Sequence, residues 1–141
     1  MPPIEDFIFP FDLPEDLQKF YELCNGVDLF CDAEYSYRIL GIEEWKPINL
    51  LILDELCPED ISSKWISIAE DGNGDYLSLD LSSSKLGWCY DSFHETHGLV
   101  GDTPVIAKSF TELLYRLYEN RGDYIYWFKP EFKDKYGDAY D

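Results

Sequence analysis

Apolar residues recur with a helical period near the start of the chain. Leu13-Pro14-Glu15-Asp16 is typical of a helix entrance, because proline fits the first helical position and acidic side chains favour the positive end of the helix dipole. The positions i, i+3, i+4 and i+7 that follow are apolar: Leu17, Phe20, Tyr21 and Cys24. Asn25-Gly26 then supplies a left-handed stop. The pattern predicts an amphipathic helix of about three turns.

Other segments alternate between apolar and polar residues, which is the period of a β-strand. One runs from Tyr35 to Ile39. Two more, Trp65 to Ala69 and Tyr76 to Leu81, flank a Gly- and Asn-rich turn and predict a β-hairpin. A third strand is predicted from Lys85 to Tyr90. The short connections between these strands predict an antiparallel meander.

Two further helices are predicted later in the chain. Ile48 to Glu55 is too short for periodicity to separate a buried helix from a buried strand, and we favour a short helix. Ser109-Phe110-Thr111-Glu112 matches a capping box, in which the serine and glutamate side chains satisfy each other's free backbone donors. An apolar stripe follows, and Asn120-Arg121-Gly122 ends this helix.

The segment from Asp123 to Asp141 is dense in aromatic residues. They are Tyr124, Tyr126, Trp127, Phe128, Phe132, Tyr136 and Tyr140. Two interpretations stay open: the rings pack onto the domain, or they form an exposed strip that binds a partner. No repeat, linker or composition break divides the chain, so we expect one domain over residues 1–141.

Charge narrows the possible functions. The chain of 141 residues carries 29 acidic and 11 basic side chains, a net charge of −18, so direct binding to nucleic acid is not expected. Residues 1–80 hold 19 of the acids and four of the bases, net −15, which leaves −3 for the last 61 residues. This acidic half either keeps the protein soluble or attracts a basic partner.

The sequence gives no sign of a membrane or secretory segment. The longest apolar runs, Leu50 to Leu53 and Ile125 to Phe128, have four residues, whereas a membrane-spanning helix needs about 20. The start, Met1 to Asp6, has no positively charged region of the kind that begins a secretory signal. We therefore expect a cytoplasmic protein that does not associate with a membrane, and its oligomeric state stays open.

Three sets of residues invite a chemical interpretation, and none matches its motif. Asp71 to Asp75 begins like a calcium loop, but Tyr76 and Ser82 stand where that loop needs Gly and Glu, so a hairpin turn is expected. His94 and His97 are spaced three apart, whereas the zinc-protease motif needs four. Cysteines occur at Cys24, Cys31, Cys57 and Cys89, with no C-x-x-C pair. No cofactor, metal or catalytic residue is predicted.

Four ordered motifs indicate a family. They are Leu13-Pro14-Glu15-Asp16-Leu17 through Asn25-Gly26, the strand Trp65–Ala69, Gly72-x-Gly74-Asp75 with Asp80, and Ser109-Phe110-x-Glu112-Leu113-Leu114. In this order, over residues 13–121 and ahead of the aromatic tail at 123–141, they resemble the SUKH superfamily. That superfamily groups yeast cell-wall-synthesis regulators with bacterial toxin-immunity proteins.

The resemblance implies a fold and a role. The fold is α+β: a twisted, mainly antiparallel sheet with helices packed on one side. The role is non-enzymatic protein binding, as an immunity protein that neutralises a bacterial toxin such as a nuclease, and the acidic half is complementary to a basic toxin domain. Two alternatives stay open: a scaffold or regulator of cell-wall synthesis or signalling, and a small hydrolase hidden among the carboxylates.

Two groups of residues are candidates for these roles. Seven loop carboxylates and one tryptophan are expected to contact the partner: Asp28, Asp32, Glu34, Glu43, Glu44, Trp45, Glu59 and Asp60. The family motifs are expected to shape the hairpin and the helix ends: Pro14, Gly26, Trp65, Gly72, Gly74, Asp75, Asp80, Ser109, Phe110 and Glu112.

Overall fold

The computed structural model describes residues 14–30, 32, 35–53, 59–71, 75–93, 97, 103–130, 132 and 135–140. Within them, three α-helices are α1 (Glu15–Leu23), α2 (Ile48–Leu53) and α3 (Phe110–Asn120). The strands there are β1 (Val27–Leu29), β2 (Tyr37–Ile39), β3 (Trp65–Glu70), β4 (Tyr76–Asp80), β5 (Cys89–Ser92) and β6 (Val105–Ala107). No helix of this described part is long and apolar enough to cross a membrane.

The six strands form one sheet in the order of the sequence. Each strand pairs antiparallel with its sequence neighbour, from β1 at one edge to β6 at the other. Such pairing follows when connections are short, because antiparallel neighbours need only a tight turn. The predicted α+β class and the antiparallel meander are confirmed.

One face of the sheet, here called the apolar face, carries the main hydrophobic core. Its strand residues are Ile39, Ile68, Ala69, Leu77, Leu79, Cys89 and Ile106. Helices α1 and α3 cover them with Leu17, Tyr21, Phe110, Leu113 and Leu117, and the tail adds Tyr126, Trp127 and Phe132. Complete burial of one such side chain stabilises the fold by about 1.5–3 kcal/mol. The two longer helices therefore share one side of the sheet, as predicted.

The opposite face, here called the polar face, mixes rings with hydroxyl and carboxyl groups. Trp65 and Tyr90 stack there with ring centroids 4.2 Å apart, and Ile48 of the short helix α2 packs against them. The strand positions beside these rings are buried and polar: Ser67, Ser78, Asp80 and Ser92. Helix α2 thus lies on the side of the sheet away from α1 and α3.

The third predicted strand, Lys85 to Tyr90, begins four residues late in the structure, at Cys89. The reason is a turn closed around Asp80, whose N–H donates to Trp88 O and whose carbonyl accepts from Gly87 N, both at 2.8 Å. Gly87 adopts φ +90°, and a Cβ there would also lie 3.2 Å from Pro14 Cγ. Residues 85–88 therefore turn the chain.

Helix α3 begins and ends at the predicted residues, with one difference in its cap. Ser109 Oγ accepts from Glu112 N at 3.0 Å, as a capping box requires. Glu112 Oε1 instead accepts from Lys108 N at 2.8 Å, one residue before the position that the motif predicts. Arg121 ends the helix in the left-handed region, at φ 54°.

The two edges of the sheet differ. At the β6 edge, Val105 N donates to Gly137 O at 3.0 Å and Ala139 N donates to Thr103 O at 2.9 Å, so the tail covers that edge. Strand β1 has only three residues and, within the described residues, pairs with β2 alone. The tail is thus largely packed onto the domain, and its exposed aromatic rings lie near its start.

Candidate partner-binding surface

Three carboxylates surround one arginine at the β1 end of the polar face. Asp28, Arg38 and Glu70 are neighbours across β1, β2 and β3. Arg38 Nε donates to Glu70 Oε1 at 3.0 Å, and Arg38 Nη1 donates to Glu44 Oε1 at 2.9 Å. The hydrogen bonds from Arg38 hold the pKa of Glu44 below its ordinary value. The guanidinium bonds to two carboxylates, and the third, Asp28, lies at the neighbouring position on β1, so this region stays negatively charged.

Glu43 and Trp45 are held against the end of α1. Asn25 Nδ2 donates to Glu43 Oε2 at 2.8 Å, and the Glu43 carboxylate lies over Gly41, where a Cβ would come within 2.7 Å of Oε1. The Trp45 ring packs edge-on against Tyr21, with centroids 5.0 Å apart. Like Glu44, these two predicted contact residues already have internal partners.

Glu59 and Asp60 lie at the other end of β3 from Asp28. Glu59 and Asp60 precede Trp65, the first residue of β3. Asp28 lies beside Arg38, which pairs with Glu70, the last residue of β3. A strand of this length separates the two ends by roughly 17 Å. The predicted carboxylates therefore form two groups. Glu34 lies outside the described residues.

Asp60 also has a structural task, at the start of the 3₁₀ turn Ile61–Lys64. Its Oδ2 accepts from Ser62 N at 3.0 Å and from Tyr140 Oη at 2.7 Å. Partial burial raises the pKa of Asp60, but the hydrogen bonds from Ser62 and Tyr140 outweigh it, so the net shift is downward. Three of the predicted contact residues that the structure describes are exposed and have no such structural role. They are Glu59, at this end of β3, and Asp28 and Asp32, at the other end.

A group of exposed and half-buried rings, here called the aromatic strip, joins the β1–β2 loop to the end of α3. Its members are Phe30, Tyr35, Tyr118, Tyr124 and Phe128. Phe30 lies 6.2 Å from Tyr118 and Tyr35 lies 5.6 Å from Tyr124, between ring centroids, and Phe128 lies 6.5 Å beyond Tyr124. The exposed fractions are 62% for Tyr118, 47% for Tyr124 and 45% for Phe128.

The sequence indicated only part of this strip. Tyr124 and Phe128 belong to the aromatic tail that was a candidate for partner binding, whereas Phe30 and Tyr118 were not singled out. The available signal for Tyr118 was its place in α3 outside the apolar stripe that Phe110, Leu113 and Leu117 bury. No local pattern in the β1–β2 loop indicates that it meets α3.

A chain of hydrogen bonds runs through the polar face and includes His97. His97 Nε2 bonds to Asn49 Oδ1 at 2.6 Å, and Nδ1 bonds to Ser92 Oγ at 3.1 Å. Asn49 Nδ2 donates to Ser62 Oγ at 2.9 Å, and Ser92 Oγ bonds to Ser78 Oγ at 2.8 Å. Because Asn49 Oδ1 only accepts, Nε2 carries the proton and Nδ1 accepts from Ser92.

This arrangement makes His97 a structural residue. Burial lowers the pKa of His97 to about 4, against a smaller opposing effect of Asp60, so the ring is neutral at pH 7. Both of its nitrogens are already hydrogen-bonded. The donors follow one direction: Ser78 donates to Ser92, Ser92 to His97, His97 to Asn49, and Asn49 to Ser62. Ser62 Oγ then donates to the Asp60 carboxylate, where the series of hydrogen bonds ends. His94 lies outside the described residues.

The remaining motif residues shape turns. Asp71 N donates to Asp75 O at 3.1 Å where the β3–β4 hairpin turns, and Gly72 and Gly74 lie outside the described residues. Buried Asp80 accepts from Tyr90 Oη at 2.6 Å and from Ser82 N at 2.8 Å. Gly26 has φ 100°, in the predicted left-handed stop. Pro14 precedes the first residue of α1.

The cysteines and acidic side chains offer no ready metal cluster in the described part of the chain. Within those residues, no group of three or more His, Cys, Asp or Glu side chains is placed to hold a metal ion. Cys89 is buried and Cys24 is half-buried, and both are free thiols. Burial raises the pKa of the Cys89 thiol well above its ordinary value. Cys31 and Cys57 lie outside the described residues.

The fold and this surface define an α+β domain built on a six-stranded meander, with an acidic, aromatic exterior around β1. The chain belongs to the SMI1/KNR4 family (SUKH-1), whose model matches residues 4–116. The predicted SUKH resemblance is confirmed.

Comparison with curated proteins finds a similar chain in Bacillus subtilis (strain 168). It is named Immunity protein YokJ and is 47% identical over 129 residues, which cover 92% of the present chain and 78% of that protein. No solved structure matches the chain.

Proposed function

We propose that this chain is an immunity protein that neutralises a toxin protein by direct, non-enzymatic binding. The observation that carries the proposal is the 47% identity to Immunity protein YokJ across 92% of the chain. A similarity of this extent supports a shared role.

The titratable groups of the described residues support binding in preference to catalysis. His97 is buried and has both nitrogens bonded, and Asp80 is buried with Tyr90 and Ser82 as donors. Asp91, whose pKa burial raises to about 6, is held by Trp127 Nε1 at 3.0 Å. Each of these side chains serves the interior, and none of them faces an open cleft with a free acid or base.

The charge supports a basic partner. The net charge of −18, concentrated in residues 1–80, would speed the association of a positively charged toxin domain and favour it over neutral or acidic proteins. Glu44 and Asp60 take part in internal bonds, so exposed Asp28, Asp32 and Glu59 are the better candidates for contact. The toxin would be bound in the compartment where this protein resides, which we propose is the cytoplasm.

The first test uses the protein encoded by the gene adjacent to this one in its host, since an immunity gene is expected beside its toxin gene. That protein is expressed from an inducible promoter in a laboratory bacterium, with and without the present chain. We expect growth arrest alone, growth with the chain, and recovery of a complex of the two proteins. If growth is not restored, and the native host yields cell-wall-synthesis or signalling proteins as partners instead, the regulatory role replaces immunity.

A second measurement tests the charge. Affinity for the adjacent-gene protein is measured by calorimetry at about 50 mM NaCl, where charges are weakly screened, and at about 500 mM NaCl, where they are strongly screened. We expect a steep loss of affinity with salt for the wild type. Asp28→Lys and Glu59→Lys make the same change of charge at two places, one near the Glu70 end of β3 and one near the Trp65 end. The substitution at the end that contacts the toxin should cause the larger loss of affinity. If both variants keep their affinity to within about 0.5 kcal/mol, the acidic surface is only solubilising.

A further inference from the structure

Two sets of aromatic rings lie around α3, and they differ in whether a basic side chain of this protein lies over the rings. The first, here called the inner set, consists of Trp88, Phe132 and Tyr136. The inner set has basic side chains of this chain over its rings: Lys108 Nζ lies 4.9 Å from the ring centroids of both Trp88 and Tyr136. Arg116 lies 4.8 Å from the centroid of Phe132. These are cation–π contacts, in which the negative ring face attracts a positive group. The inner rings are therefore already paired with cations.

The aromatic strip differs from the inner set in this respect. Among the residues that the structure describes, no Lys or Arg side chain lies over the rings of Phe30, Tyr35, Tyr118, Tyr124 or Phe128. Lys129, close by in sequence, is held by Asn120 Oδ1 at 2.8 Å and by Asp123 Oδ2 at 3.3 Å. The exposed rings of Tyr118, Tyr124 and Phe128 are thus open to a cation from another molecule.

Carboxylates flank the strip along the chain. Asp32 lies between Phe30 and Tyr35 in the β1–β2 loop, Glu119 follows Tyr118, and Asp123 precedes Tyr124; all three are exposed. Negative side chains beside open rings favour a guanidinium or ammonium group twice, through the charge and through the ring. This combination is complementary to a basic protein surface.

The strip is also held in place before any partner binds. Asn120 Nδ2 donates to the carbonyl oxygens of Asp123 and Tyr124, both at 3.0 Å, which fixes the turn after α3. Tyr35 contacts Tyr124 edge to face at an interplanar angle of 85°. Rigid aromatic anchors lose little conformational freedom on binding, which is why Tyr and Trp are common at the centre of protein interfaces.

We propose that the aromatic strip receives arginine or lysine side chains of the toxin, and that it is the contact surface through which the proposed immunity function acts. The inference rests on that proposed function and adds a location and a chemistry to it. The group Glu59 and Asp60, at the far end of β3, then lies outside the interface.

The test compares variants at matched exposure, with the adjacent-gene protein as the probe. Tyr124→Ala is set against Ile61→Ala, because Tyr124 is 47% exposed in the strip and Ile61 is 48% exposed in the turn that leads into β3. We expect Tyr124→Ala to weaken binding at least tenfold, whereas Ile61→Ala changes it less than threefold. Thermal unfolding of both free variants verifies that each is folded.

Two further substitutions separate a cation–π contact from a merely apolar one. Tyr124→Phe keeps the ring and should bind within about threefold of wild type, whereas Tyr124→Leu keeps apolar area without a ring and should lose about as much affinity as Tyr124→Ala. If Tyr124→Leu binds the toxin as tightly as Tyr124→Phe does, the proposed cation–π contact is wrong. Asp32→Asn should reduce the salt dependence of binding, and Glu59→Gln should not.

The outcomes separate the two proposals. If the wild type does not protect against the adjacent-gene protein, the immunity function fails. If the wild type protects but Tyr118→Ala and Tyr124→Ala bind and protect normally, the immunity function stands and the strip is wrong. A measurement that needs no toxin is NMR titration with a hexa-arginine peptide, for which we expect the largest shifts at residues 118 and 124. Shifts centred on residues 59–61 would overturn the strip.

Discussion

The two faces of the sheet are both buried, but different forces hold them. On the apolar face, α1, α3 and the tail cover aliphatic and aromatic side chains, and stability comes from apolar area removed from water. On the polar face, hydroxyl, amide and imidazole groups meet in a directed chain of hydrogen bonds that includes Asn49 and His97. The stability of the apolar face depends on how well its volume is filled, and that of the polar face on whether every buried polar group has a hydrogen-bond partner. We expect the apolar face to tolerate substitutions that keep its shape, and the polar face not to tolerate them.

The largest effect is expected on the apolar face. Phe110, the first residue of α3, is buried against α1, and its ring lies 4.9 Å from that of Phe20. Phe110→Ala should lower the free energy of unfolding by about 3–5 kcal/mol, since it removes a whole ring and leaves a cavity. Urea unfolding at pH 7 measures this. Leu113→Met on the same face keeps the volume and should cost less than about 1.5 kcal/mol; an equal loss in both would contradict the volume argument.

The matching change on the polar face keeps the number and branching of the side-chain heavy atoms but removes hydrogen bonds. Asn49→Leu takes a donor from Ser62 and an acceptor from His97. We expect it to lower the free energy of unfolding by about 2–3 kcal/mol, because buried polar partners are left unpaired. The comparison is with Leu113→Met under the same urea conditions. If Asn49→Leu costs no more than Leu113→Met, the two faces do not differ in the way described.

One carboxylate breaks the pattern of the apolar face. Asp91 lies there beside Trp127, and burial, with the nearby charges of Asp75 and Asp71, raises its pKa to about 6, above the ordinary 3.8. Between about pH 4 and 6 the folded state therefore holds a proton that the unfolded state releases, so this group lowers stability as pH rises. Asp91→Asn keeps an acceptor for Trp127 and should stabilise the protein by on the order of 2 kcal/mol at pH 8, with little change at pH 4.

His97 acts in the opposite direction over the same range, so the Asp91 effect must be measured as variant minus wild type. The pKa of His97 falls from its ordinary 6.5 to about 4, so the stability that it contributes is present above pH 6.5 and is lost toward pH 4. That loss is common to both proteins and cancels in the difference. A difference between variant and wild type that is the same at pH 4 and pH 8 would show that Asp91 is not buried as described.

The smallest effect is expected where the polar face reaches solvent. The side chains of Arg38, Glu44 and Glu70 are about one-third exposed, so solvent screens their ion pairs. Arg38→Met should cost less than about 1 kcal/mol at low salt, and 1 M NaCl should reduce that difference. Thermal unfolding at both salt concentrations measures it. A loss as large as that of Asn49→Leu would mean that exposed and buried polar groups contribute alike.

Local patterns predicted the elements well because a helix stripe or an alternating strand lies within about ten residues. Helix α1, the β3–β4 hairpin and α3 all follow from such patterns. The polar face does not, because its partners come from distant parts of the chain: Tyr140 and Asp60 are 80 residues apart, and His97 and Asn49 are 48 apart. Periodicity shows which way a side chain faces within its element, but not which distant group it meets.

The candidate surface was predicted in a similar, partial way. Charge clustering indicated an acidic region, but it could not separate exposed Asp28 from Glu44, which Arg38 holds. Nor could it show that Glu59 lies a strand's length away from Asp28. The aromatic strip depends on the meeting of the β1–β2 loop with the end of α3, which is a tertiary contact.

The order of the strands in the sheet also leads us to expect an order of folding. Every ladder joins sequence neighbours, so each hairpin needs only a short loop to close, and hairpins form in about 1–10 μs. Synthesis at about 5–20 residues per second is far slower, so pairing can follow the nascent chain as it leaves the ribosome. Residues 137–140 bond back to Thr103, Lys85 and Asp60. We expect this segment to pack onto the sheet last and so to complete the native fold.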